Sequence, residues 1–114
     1  MTLVDTSVWV EHFRLGNPEL AAKLLAGEVA THAMVVGELA CGRLPDRRRT
    51  LALLQHLPAV PRLDDGLVLE VVERRGWRGQ GVGWVDVHLA AAALAAAMPL
   101  WTLDRRLARL VGEG

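Results

Sequence analysis

Leu3-Val4-Asp5-Thr6-Ser7 is the stretch on which the reading of the fold depends. An apolar run of β type, Thr2 to Val4, ends on a carboxylate. Two hydroxyl residues follow, and then a helix-like segment, Val8 to Phe13. In open α/β sheets the ligand crevice lies outside the carboxyl ends of the strands, so an Asp at that end faces the functional side. Asp5 or Thr6 would also serve as an N-cap for the next helix. What separates the two roles is whether other carboxylates reach the same edge.

Outward from this stretch, strands and helices alternate. Gly16-Asn17-Pro18 breaks the first helix, Glu19 to Ala26 forms a second, and Glu28 to Ala30 is a short strand. His32 to Cys41 is helical and closes at Gly42, a C-cap position. Asp46 to His56 is another helix, and Pro58 and Pro61 bracket an Ala59-Val60 strand. Asp64 to Trp77 is amphipathic, with Leu67, Leu69, Val71 and Val72 interleaved with charges. Four glycines between 76 and 83 make a loop, and the alanine-rich segment Val85 to Ala97 is apolar nearly all round, hence buried. Leu100 to Thr102 is a last strand, delivering Leu103-Asp104 to a final helix, Arg105 to Val111. This order predicts a short parallel sheet covered on both faces, an α/β/α three-layer sandwich with right-handed crossovers.

With 114 residues, the chain is read as a single domain over 1–114, and its 52% apolar content favours a folded core over disorder. A net charge of zero removes any bulk electrostatic argument for nucleic acid or membrane binding. Lys23 is the only lysine and the other cations are arginines, which suits phosphate recognition but equally reflects a biased genome composition. Cys41 is the single cysteine, so no disulfide framework exists and a cytoplasmic location is expected. Leu89 to Trp101 is too short and too broken by Pro99 to span a membrane, and the opening residues are expected to be strand, since they lack the basic and apolar regions of a signal peptide.

Four acids stand out: Asp5, Glu38, Asp86 and Asp104. Asp5 and Asp104 each follow a strand, and Asp86 lies in the first turn of the buried helix, where a parallel topology returns the chain to the same edge. Each of these three also suits a helix start. Glu38 does not. It sits late in its helix, against the dipole, with no Lys or Arg at i±3 or i±4 to pair with it. Either it points to solvent or it joins an acidic cluster neutralised by a cation, and the second is the expectation here. Oxygen ligands without His or Cys suit Mg²⁺ or Mn²⁺, which activate water and stabilise charge at a phosphoryl centre. Thr6 and Ser7 could orient Asp5 or serve as helix-start residues.

The histidines His12, His32, His56 and His88 show no ligand spacing and read as surface or satisfied core residues. Cys41 has no base partner and reads as packing. No P-loop or dinucleotide fingerprint occurs.

Leu-Val-Asp-Thr-Ser-Val-Trp at 3–9, Val-Gly-Glu-Leu-Ala at 36–40, Trp-Val-Asp-Val-His-Leu at 84–89 and Leu-Trp-Thr-Leu-Asp-Arg-Arg-Leu at 100–107 together resemble the PIN-domain family. More narrowly they resemble VapC-type ribonuclease toxins of prokaryotic toxin–antitoxin pairs. The resemblance covers essentially the whole chain. It implies an α/β/α sandwich whose acids bind Mg²⁺ or Mn²⁺ and cleave RNA. Asp5 and Asp86 would be the principal metal ligands, Glu38 and Asp104 would complete the catalytic cluster, and Thr6 and Thr102 would be supporting hydroxyls. It also implies a homodimer and a small antitoxin protein whose tail reaches the acidic pocket.

RNA is anionic, so arginines around the rim would hold flanking phosphates; Arg43, Arg47, Arg75 and Arg78 are the candidates. Trp84 and Trp101 are expected in the core, and Trp77 at an interface. A competing reading is a catalytically silent module that uses the same fold to bind RNA or a regulator. A phosphoryl-transfer protein of receiver or phosphatase type fits poorly, because Asp5 has no adjacent acid and no late lysine exists.

Overall fold

A computed structural model describes residues 1–112. The elements are β1 (Thr2–Val4), α1 (Thr6–Leu15), α2 (Pro18–Leu25), β2 (Val29–Ala30), α3 (Ala33–Ala40), α4 (Arg47–His56), α5 (Asp65–Arg75), α6 (Trp84–Ala95), β3 (Leu100–Trp101) and α7 (Arg105–Leu110). The sheet has the order β2-β1-β3, and both pairings are parallel. Ala59-Val60 does not form a fourth full strand. It joins the sheet through one parallel bridge, Thr31 to Ala59, because Pro58 and Pro61 leave few donors there to extend a ladder.

Side-chain alternation along β1 and β2 divides the interior. Val4 and Val29 face a cluster that includes Val8 and Trp9 of α1, Leu20 of α2, Val35 and Leu39 of α3, and Leu54 of α4. Leu3 and Ala30 point the other way, onto Ala92 and Ala93 of α6. Alanines at these two positions let α6 lie close against the sheet. The same helix turns Val87, Ala90 and Ala91 towards Val68 of α5 and Leu107 of α7. Helices therefore cover both faces of a short parallel sheet, the expected sandwich.

Local signals explain most helix ends. Asn17 caps α2 by accepting from the Leu20 N–H at 3.0 Å, with Pro18 opening the helix. Gly76 ends α5 in the left-handed conformation, at φ 66°. At the end of α6 that conformation falls on Ala97, at φ 51°, immediately before Met98 and Pro99 lead into β3.

Some expectations at the residue level are reversed. On α5 it is Val68 that is buried, whereas Leu69 is exposed. Trp77 is buried and Trp84 is 41% exposed, the opposite of the expected assignment. Cys41 is exposed rather than a packing residue, since it falls just past the last turn of α3. Among the described residues no helix is long and apolar enough to cross a membrane.

Candidate functional site: an acidic edge of the sheet

The carboxyl ends of β1 and β3 bring Asp5 and Asp104 to one edge. Asp5 is the N-cap residue of α1 by backbone position, yet its side chain makes no cap hydrogen bond. Its Oδ2 instead accepts from Ser7 Oγ at 2.8 Å and from Thr102 Oγ1 at 2.7 Å. Both hydroxyls are themselves held by backbone donors, Ser7 Oγ by the Leu103 N–H and Thr102 Oγ1 by the Asp104 N–H, each at 3.0 Å. The amides that follow β3 thus orient two hydroxyl groups onto one buried carboxylate. Thr102 was expected as a support. For Ser7 the sequence left two roles open, orienting Asp5 or starting the helix, and its hydroxyl takes the first.

The other acids are engaged locally. Asp104 caps α7, its Oδ1 accepting from the Arg106 and Leu107 N–H groups at 2.8 and 3.3 Å. Asp86, at the third position of α6, reaches back so that its Oδ2 accepts from the Gly83 N–H at 3.1 Å. Glu38 is exposed, and its Oε1 accepts from Thr6 Oγ1 at 2.6 Å. Thr6 therefore supports Glu38, tying the start of α1 to α3, and does not support Asp5.

The electrostatics bind three of these acids into one neighbourhood. Burial pushes the Asp86 carboxyl above the ordinary carboxylate range. The Gly83 N–H opposes that shift, and the negative charges of Asp5 and Asp104 add to it. Glu38 is not among the charges that act on Asp86.

This geometry corrects the expected metal centre. Among the described residues no group of three or more His, Cys, Asp or Glu side chains is arranged to hold a metal ion. The reason is visible in the hydrogen bonds. Asp5 faces two hydroxyl groups, Asp86 and Asp104 are turned onto the N–H groups of their own helix starts, and Glu38 stands apart at the surface. Oxygen ligands must converge to about 2.1 Å from a single Mg²⁺, and these residues do not fit that requirement. The Mg²⁺ or Mn²⁺ cofactor, the four-carboxylate hydrolytic site and the assignment as a metal-dependent endoribonuclease are overturned by the arrangement of the donors. The expectation that Glu38 had no partner short of a metal fails for a simpler reason: a hydroxyl from another helix supplies one.

The arginines divide as well. Arg47 donates to the Ala40 and Gly42 carbonyls at 2.6 and 3.2 Å, so it closes the end of α3. Arg78 lies 3.8 Å from Glu73, and Arg43 and Arg75 are exposed. The cations beside the acidic edge are Arg105 and Arg109, which line an open groove of about 270 Å³ with Thr102 and Asp104. Their i, i+4 spacing directly after Asp104 was the signal for them.

Residues 2–113 match the profile of the PIN domain family. The chain is 40% identical over 114 residues to Ribonuclease VapC32 of Mycobacterium tuberculosis, strains CDC 1551 / Oshkosh and H37Rv; the match covers 99% of this chain and 92% of each relative. The crystal structure of PAE2754 from Pyrobaculum aerophilum superposes with a TM-score of 0.65 at 20% identity, over 97% of this chain and 84% of that one. At that identity the likeness is one of fold.

Proposed function

We propose that this chain, which belongs to the PIN domain family and is homologous to VapC-type ribonuclease toxins, works as a binding module whose acidic edge receives a cationic segment of a regulator protein. The observation that carries this reading is the edge itself: Thr102 Oγ1 donates to Asp5 Oδ2 and accepts from the Asp104 N–H, and Asp86, turned onto the Gly83 N–H, has its carboxyl pushed up by burial and by the charges of those two acids. A half-buried carboxylate beside two others is stabilised by an incoming cation. A guanidinium suits the place better than a metal ion does. Its five N–H donors are spread over a planar fork, so it can bridge carboxylates that do not converge on one point. Asp5, Asp86 and Asp104 would form the receiving surface, with Glu38 at its margin.

A small antitoxin is the regulator that the VapC likeness suggests. RNA is the second ligand class, supported by the groove that Arg105 and Arg109 line. Phosphates would lie there rather than against the acids, with Arg43, Arg75 and Arg78 as outer contacts. Within this reading the chain is one module over residues 1–114, cytoplasmic, as a single cysteine suits, and dimeric, as the family likeness implies.

The test is an anisotropy titration of the full chain with a labelled peptide that carries two arginines. Binding should weaken about tenfold in Asp86→Asn, roughly the 1.4 kcal/mol of one lost charged contact. Equal affinity in the variant and the parent would refute the proposal.

A further inference from the structure

Between α5 and α6 the surface opens into a groove of about 410 Å³. Leu67 and Val71, one turn apart on α5, line one side, and Ala91 and Leu94 of α6 line the other. Ala91 is buried, Val71 and Leu94 are half-buried, and Leu67 is 41% exposed. Single exposed aliphatics are ordinary on a protein surface, whereas a continuous strip of them in a concave site marks a place where a partner binds.

The only charged residues lining the groove are Arg74 and Arg75, both exposed. Their place in the last turn of α5 suits the helix dipole. It leaves both guanidinium groups without a carboxylate partner among the described residues, whereas Arg78 pairs with Glu73 and Arg62 with Asp65. The groove is therefore complementary to aliphatic side chains along its length and to negative charge at one end. A nucleobase would find no aromatic ring in the lining on which to stack, so nucleic acid fits it less well.

We propose that this groove is a docking surface for an amphipathic helix of a partner protein, aliphatic along one side and carrying a pair of carboxylates at the end that meets Arg74 and Arg75. From Leu67 to Arg74 the wall covers two helical turns, about 10 Å, which one turn-spaced row of leucines on the partner would fill. Ridges of such a helix would seat between α5 and α6 as helices pack elsewhere in proteins. Bidentate pairing of each guanidinium with a carboxylate would set the direction in which the partner lies. None of the acids of the sheet edge lines the groove, so this surface is independent of what that edge binds.

The test uses a labelled helical peptide with leucines one turn apart and two glutamates at one end, and a control in which glutamine replaces both glutamates. In anisotropy titrations with the full chain, the glutamate peptide should bind at least tenfold more tightly than the control. Backbone amide shifts in nuclear magnetic resonance should map the peptide to α5 and α6. In the double variant Arg74→Gln, Arg75→Gln the two peptides should bind alike, and Leu67→Asp should weaken both at least tenfold. Equal affinity of the two peptides for the parent chain, no saturable binding, or shifts confined to another face would overturn the proposal. So would a single-stranded RNA that shifts the Leu67 and Leu94 amides, or a homodimer in sedimentation that Leu67→Asp disperses, since a second copy would then be the occupant. The two peptides on the parent chain decide the matter even if a variant does not fold.

Discussion

Thr102 Oγ1 lies 2.7 Å from Asp5 Oδ2, so the end of β3 is fastened to the end of β1 through a side-chain hydrogen bond. The same hydroxyl accepts from the Asp104 N–H, so one threonine links two of the acids at the sheet edge. Asp5 is almost wholly buried, and the two hydroxyls compensate its desolvation locally.

Replacing Thr102 with Val removes a donor from a buried carboxylate and an acceptor from a backbone amide. A loss of about 1–3 kcal/mol is expected in urea denaturation, while Thr102→Ser should retain most of the stability. A Val variant as stable as the parent would show that this bond contributes little.

Asp86→Asn should stabilise the folded chain at neutral pH. The Asp86 pKa is raised on folding, so its ionised form is disfavoured in the native state. The group's stabilising contribution is full below its unfolded value, near 3.8, and is lost as pH rises through the higher folded value. The amide keeps an oxygen for the Gly83 N–H and removes the charge. A gain on the order of 0.5 kcal/mol, or about 2–3 °C in Tm, is expected at pH 7 and should shrink at pH 3. Scanning calorimetry at both pH values checks it.

Asp65 has the opposite sign. The Arg62 side-chain hydrogen bond is the main cause that holds its carboxyl below the ordinary value, and the His88 ring adds to it. Stability from this group is present above the unfolded value of about 3.8 and is lost as pH falls through the lower folded value. Asp65→Asn should therefore lower Tm at pH 7 and bring the variant and parent together at the acid end. Curves that stay parallel down to pH 2 would contradict this.

The backbone makes two further predictions of opposite direction. Ala97 adopts φ 51° at the end of α6, so Ala97→Gly should gain about 0.5–1 kcal/mol. Gly81 has φ 76°, and an added Cβ would lie 3.0 Å from Arg106 Cδ. Gly81→Ala should lose about 1–2 kcal/mol by the same denaturation measurement.

The architecture was legible because apolar runs ending in Asp5 and Asp104 alternate with helix-period segments, and that pattern admits a parallel sheet. Placement of Asp5 and Asp104 at one edge followed from strand polarity alone. The direction of each carboxylate did not. Whether Asp86 turns outwards or back onto Gly83 depends on a rotamer, and Glu38 found its partner in Thr6, which is distant in sequence. Pairing of this kind leaves no periodic trace. The exchange of Trp77 and Trp84 has a similar origin, since hydropathy places a tryptophan near a core without choosing which loop edge covers it.

The central claim is that the acidic edge binds a cationic partner and does not assemble a metal centre for RNA cleavage. Incubating the purified full chain with single-stranded RNA in millimolar Mn²⁺ or Mg²⁺, and following the RNA by denaturing electrophoresis, tests it most directly. The predicted result is RNA that stays intact with and without EDTA. EDTA-sensitive cleavage that disappears in Asp5→Asn would contradict the claim.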